Sequence, residues 1–217
     1  MRKLLPAVLA AAVLTSGCGA KTADYSSIWT TPGATTATSA EQSPAEKKVT
    51  IAQYLSSIGV TGQQLPLDKL TDLTVTLPRP AGWTKYANPN FSPGTEAIAK
   101  NNTYPTAMVM VFKLDGPFDV AKALEHAEAD AQRSKKFVKL NSSSDDFDGF
   151  PSSMIEGSYE LNGTRVHTYN RIVIPVTPAP AFQRYLVQFT VTSLADQAAA
   201  QAPDVQQIIE GFSVKTK

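Results

Sequence analysis

Apolar positions change their spacing several times along this chain, and each spacing predicts an element. Ile51, Tyr54, Leu55 and Ile58 recur at i, i+3, i+4 and i+7, one face of a short helix over Thr50–Ile58, with Thr50 as its cap and Gly59 closing it. Leu73–Leu77 alternates as a strand until Pro78, Pro80 and Gly82 stop it ahead of Trp83 and Tyr86, and a loop rich in Asn and Pro is expected next. Ala107–Leu114 is apolar on both parities, as in a central strand covered on both faces. After the turn at Asp115, Gly116 and Pro117, Val120, Leu124, Ala127 and Ala131 form one stripe. They predict the longest helix over Phe118–Ser134, with Lys122, Glu125, Glu128 and Asp130 off the stripe.

Phe137–Leu140 predicts a short strand, followed by a polar loop over Asn141–Gly149. Asn162 and Gly163 then lie between two β-rich runs, Ser153–Leu161 and Thr164–Val176. Asn-Gly supplies the positive φ angles of a two-residue hairpin turn. That turn fixes a register: Leu161 opposite Thr164, Glu160 opposite Arg165, Tyr159 opposite Val166 and Ile155 opposite Asn170, with opposite charges and an aromatic/β-branched pair in agreement. Phe182–Val191 predicts a further strand with Tyr185, Val187, Phe189 and Val191 on one face. Ser193 and Asp196 suggest a capping box. Pro203 suits the first turn of a last helix bearing Val205, Ile208, Ile209 and Phe212. The sum is an α+β class: a mainly antiparallel sheet flanked by helices.

The first 48 residues follow a different rule. Met1, Arg2 and Lys3 precede an apolar run, Leu4–Leu14, and a small-residue exit at Ser16 and Gly17, the three parts of a secretory signal over residues 1–17. The run is shorter than the roughly 20 residues a spanning helix needs. Ser16-Gly17-Cys18 resembles a lipobox, with Thr15 where that motif usually has Leu. The resemblance implies a diacylglyceryl group on the Cys18 thiol and cleavage before it. Two acyl chains meet the condition for stable anchoring, so the expected place is the outer face of a membrane. Residues 19–48, rich in Thr, Ala, Ser and Pro without apolar periodicity, read as a flexible tether, so residues 18–48 form the lipidated spacer and 49–217 a single globular domain.

Composition narrows function more than it defines it. The chain is 42% apolar and 18% charged, enough for a core. Loss of Arg2 and Lys3 leaves 18 basic against 19 acidic residues, which gives no footprint for nucleic acid. His126, His167 and Cys18 are too scattered for a zinc site, and neither an EF-hand nor a Walker spacing occurs, so neither metal nor cofactor is expected. No G-x-S-x-G elbow is present.

Two residue sets remain as candidates. Trp83, Tyr86, Phe91 and Tyr104 cluster around the Gly/Pro/Asn-rich loop, where they either form a ligand pocket for an amphiphile or cover the sheet. Arg165, His167, Tyr169 and Arg171 share one face of the hairpin with Glu156 and Glu160, as a charge ladder or a recognition face for a headgroup or partner.

The order of segments, with the lipobox, a Pro-Ala-Gly-Trp stretch, YPTAMVMVFKL, GFPSSMIEGSYELNG, NRIV and QRYLVQFTVTSLA, resembles the LpqN/LpqT family of mycobacterial lipoproteins from Val49 onward. The resemblance implies a Mog1/PsbP-like α/β/α sandwich and a binding or assembly role. The expected function is a non-catalytic envelope lipoprotein that binds an acylated glycolipid or assists envelope assembly. The alternatives are a module engaging envelope or host proteins, innate immune receptors included, and an ester hydrolase built on His167.

Overall fold

The computed structural model describes residues 48–217. The signal, Cys18 and the tether up to Lys47 lie outside the described residues. The chain forms α1 (Ile51–Ser57), β1 (Thr61–Leu65), β2 (Leu73–Thr76), β3 (Trp83–Lys85), β4 (Glu96–Lys100), β5 (Thr103–Asp115), α2 (Val120–Leu124), α3 (Ala129–Gln132), β6 (Val138–Ser143), β7 (Ser152–Leu161), β8 (Thr164–Val173), β9 (Arg184–Leu194), α4 (Ala198–Gly211) and β10 (Ser213–Thr216). Among the described residues no helix is long and apolar enough to cross a membrane.

Among the described residues the main sheet has eight antiparallel strands, seven in the order β3-β4-β5-β9-β8-β7-β6 and β1 beside β5 off that path. Strand β5 is long enough to share one edge between two partners: Thr103–Val109 pairs with β4 and Val111–Asp115 with β1. β2 and β10 form a separate two-stranded ladder. On one face of the main sheet, Ala107, Val109 and Val111 of β5 join Tyr185, Val187, Phe189 and Val191 of β9 under α4 and β10. On the other, Met108, Met110 and Phe112 pack beneath α1 and α2. Both parities of β5 are therefore buried, which is why its sequence is apolar throughout.

Local signals decide several elements. Thr50 and Gln53 make a reciprocal capping box at the start of α1, each side chain bonding the other's backbone N–H at 3.1–3.2 Å. Asn162 (φ 50°) and Gly163 (φ 83°) form the hairpin turn, and all four expected pairings are present.

Other expectations are corrected. The helix over Phe118–Ser134 is neither continuous nor the longest: α2 and α3 are separated by a tight turn in which His126 N–H bonds Ala123 O and Ala127 N–H bonds Leu124 O. At that turn His126 stacks on Tyr54 at 4.5 Å and its Nδ1 lies 3.1 Å from Val49 O, a tertiary contact that overrides the local period. Among the described residues the longest helix is α4, of 14 residues, with Pro203 inside it rather than in its first turn. No box forms at Ser193, which β9 claims as a buried residue. Phe182 stays outside β9 at φ 43°.

Candidate functional site

A groove of about 930 Å³ opens between the helical segment and the start of β7. Asp119 begins one wall by capping α2, its Oδ1 accepting from Lys122 N–H at 3.1 Å. Val120, Ala121 and Leu124 give that wall an apolar surface, with Glu125 and Glu128 above. Val120 and Leu124 are only partly spent on the core beneath them.

The opposite wall is built on the end of β6, which bulges between Lys139 and Asn141 and stays paired with β7 as far as Ser143 opposite Met154. The chain then folds on itself: Ser143 Oγ donates to Asp145 Oδ2 at 2.7 Å and accepts from Asp145 N–H at 3.0 Å. Ser152 Oγ ties this turn down, donating to Asp145 O at 2.6 Å and accepting from Arg171 Nη1 at 2.9 Å. Lys139 reaches Glu128 at 4.0 Å near one end.

Five carboxylates line the groove, at Asp119, Glu125, Glu128, Asp145 and Asp146, and among the described residues no cationic side chain does. Such a surface accepts hydrogen bonds from hydroxyl groups and repels phosphate. Its size falls within the range of small-ligand sites. Among the described residues no group of three or more His, Cys, Asp or Glu side chains is placed to hold a metal ion.

The aromatic candidates divide. Trp83 is buried on the α4 side of the sheet. Tyr86, Phe91 and Tyr104 meet Tyr159 on the other side around a slot of about 30 Å³, space for roughly one water. Tyr86 and Phe91 pack edge to face at 5.8 Å. The Tyr104 hydroxyl is buried with no hydrogen-bond partner, and burial, then Tyr86, push its pKa above the ordinary tyrosine value. Burial, then Tyr104, push Tyr159 up to about 12. The slot as it stands holds no acyl chain.

Arg165, His167, Tyr169 and Arg171 do share a face of β8, on the α4 side, and each has an internal partner. Arg165 donates to Ser158 Oγ at 2.8 Å and to Lys136 O at 3.0 Å. His167 Nε2 lies 3.1 Å from Glu156 Oε1. Arg171 donates to the Tyr169 hydroxyl at 2.9 Å and lies 4.6 Å over the Phe147 ring. Its third contact, with Ser152, makes it a brace for the groove wall.

The groove was not among the sequence candidates. Its acids are scattered between residues 119 and 146, and only the folded chain brings the Ser142–Asp146 stretch at the end of β6 opposite α2.

Comparison with known proteins gives a consistent result. Residues 47–215 match the family Lpp-LpqN, described as probable lipoprotein LpqN. The lipoprotein LpqT of Mycobacterium tuberculosis is 51% identical over 219 residues, covering 100% of this chain and 96% of that protein. A crystal structure of M. tuberculosis LpqN, described as involved in cell envelope biogenesis, superposes with a TM-score of 0.66 at 21% identity, covering 76% of this chain and 97% of that one. It shows the same α+β fold. The solution structure of cyanobacterial PsbP from Synechocystis aligns more loosely, at a TM-score of 0.44 and 12% identity over 67% of this chain and 94% of that one.

Proposed function

The chain belongs to the LpqN family of lipoproteins, and from that premise we propose that it is a non-catalytic envelope protein, anchored on the outer face of the membrane through Cys18, that binds an acylated glycolipid. The observation that carries this reading is the groove beside α2. Its apolar surface at Val120, Ala121 and Leu124 suits an acyl chain, and its carboxylates and the Ser142–Ser144 hydroxyls suit a neutral, polyhydroxylated head. Anionic headgroups are disfavoured by five nearby carboxylates. The description of LpqN as an envelope-biogenesis protein points to the same compartment.

Thermal melting of the full chain with a mycobacterial envelope glycolipid extract tests the reading. A ligand present at about 100 times its Kd adds roughly 2.7 kcal/mol to the folded state, which is readily seen as a rise in Tm. Phosphatidylglycerol serves as the anionic control. No rise with the extract, or an equal rise with both, refutes the proposed selectivity.

A protein-interaction role is the second reading, and a specific observation favours it. Val138 and Leu140 lie 50% and 60% exposed on β6, the edge strand of the main sheet. Exposed apolar residues on an edge suit strand addition by a partner.

A further inference from the structure

Ile58, the Gly116–Pro117 turn and Phe182 stand at one end of the main sheet. The registers put them there: Thr61 of β1 pairs with Asp115 of β5, and Leu114 of β5 pairs with Arg184 of β9. Phe182 is 62% exposed and Ile58 44%. Pro178, Ala179, Pro180 and Ala181 are exposed as well, so five consecutive residues present an apolar tip without a charged group.

The stem beneath this tip is tightly held. Thr177 is buried; its N–H donates to Gln183 O at 2.9 Å and its Oγ1 accepts from Gln183 N–H at 2.9 Å. The Gln183 amide donates to Leu114 O at 2.7 Å and Arg184 O at 2.8 Å. Phe182 N–H closes the tip onto Pro178 O at 3.3 Å. Phe182 itself sits at φ 43°, a left-handed conformation that bulky L residues rarely adopt and that Gly or Asn would fill with less strain. An aromatic ring held mostly in solvent on a strained backbone contributes little to the core. Its position makes sense if something outside the chain covers it.

The family identifies the nearest cover as a lipid surface. The expected anchor, Cys18, lies 30 residues before Lys48, so even full extension keeps the domain within about 100 Å of that surface. An anchor that raises the local concentration makes a weak second contact effective. Chemistry agrees: the tip carries no charge to desolvate, and Pro178 and Pro180 have no backbone N–H to strand in an apolar layer.

We infer that the Pro178–Phe182 tip, with Ile58 at the same end, is a shallow bilayer-insertion element that seats the domain on the membrane bearing its anchor. The wall of the groove begins at Asp119, directly after the turn at this end, so seating brings the groove toward the lipid. The inference rests on the anchoring of the chain and is independent of what the groove binds.

The test uses the full acylated chain, its acylation confirmed by mass, in phosphatidylcholine–phosphatidylglycerol vesicles with brominated acyl chains. Phe182→Trp reports on the tip, and Thr164→Trp, at the hairpin turn on the opposite end of the sheet, is the control. Bromolipid quenching above that of the unsubstituted chain is expected for Phe182→Trp alone; equal quenching at both positions overturns the inference.

A second variant separates seating from folding. In the unacylated Cys18→Ser chain lacking residues 1–17, Phe182→Asn is expected to lower vesicle partition about tenfold while Tm holds or rises. Unchanged partition, as a protein-facing tip would give, overturns the inference, as does a loss of partition that merely follows a fall in Tm.

Discussion

Gly157→Ala tests how the outer wall of the groove is held. Gly157 lies in β7 opposite Lys139 of β6, and a Cβ built on it would sit 2.5 and 2.6 Å from Phe137 ring carbons and 2.7 Å from Val138 O. Those atoms would have to retreat by about 0.7–0.9 Å to reach the 3.4 Å at which ordinary contact begins. An alanine in a strand interior normally gains roughly 0.5–1 kcal/mol over glycine by restricting the unfolded chain. Here the sign should reverse. Overpacking of this kind costs about 1–3 kcal/mol, which for a domain of this size is about 2–12 °C in Tm. Phe137→Leu added to Gly157→Ala should recover only part of the loss, because the Val138 carbonyl still collides. Differential scanning calorimetry of the single and double variants is the assay. A Tm for Gly157→Ala at or above that of the parent chain would refute the reasoning.

Two further outcomes follow from the core and from charge. Phe189 is fully buried, stacked on Phe212 at 4.1 Å and edge-on to Tyr169 at 5.9 Å, so Phe189→Ala should cost about 3–5 kcal/mol in urea unfolding; a loss below 1 kcal/mol would contradict its central place. Glu160 is held at a pKa of about 2, first by its hydrogen bonds to Lys135 and Lys136. A lowered carboxylate pKa contributes stability above its unfolded value of 4.5, lost as pH falls from 4.5 toward 2. Glu160→Gln should therefore flatten the fall in Tm across that window, and an unaltered acid profile would show the pairing to be inconsequential.

Much of the fold was legible because its signals are local or strictly periodic. The two parities of β5, the Asn162-Gly163 turn with its register, the Thr50 cap and the apolar face of β9 each follow from a few neighbouring residues. The short strands β1, β3, β4 and β10 were not legible. They have three to five residues each and form only because a partner offers an edge: β5 to β1 and β4, β4 to β3, and β2 to β10. The break in the predicted helix has a similar cause, since the contacts of His126 with Tyr54 and Val49 come from a segment more than 70 residues away.

Site legibility was poorer still. The hairpin face assembles as read, yet Arg165, His167 and Arg171 are committed to partners that sequence spacing does not reveal. Trp83 and Tyr86, three positions apart, fall on opposite sides of the sheet, so the four-aromatic cluster separates into a core residue and a nearly closed slot. Cys18, the anchor on which the proposed location rests, lies outside the described residues, and its acylation is directly measurable by mass.

The most direct measurement is mass spectrometry of organic extracts from the full chain after exposure to mycobacterial envelope lipids, beside an Ala121→Trp variant. Ala121 is an exposed helix position on the groove wall, so tryptophan there should obstruct the apolar wall of the groove while leaving the core untouched. The account predicts about one acylated glycolipid per parent chain and a loss of at least tenfold in the variant. Extracts free of glycolipid, or equal loading of both chains, would contradict it.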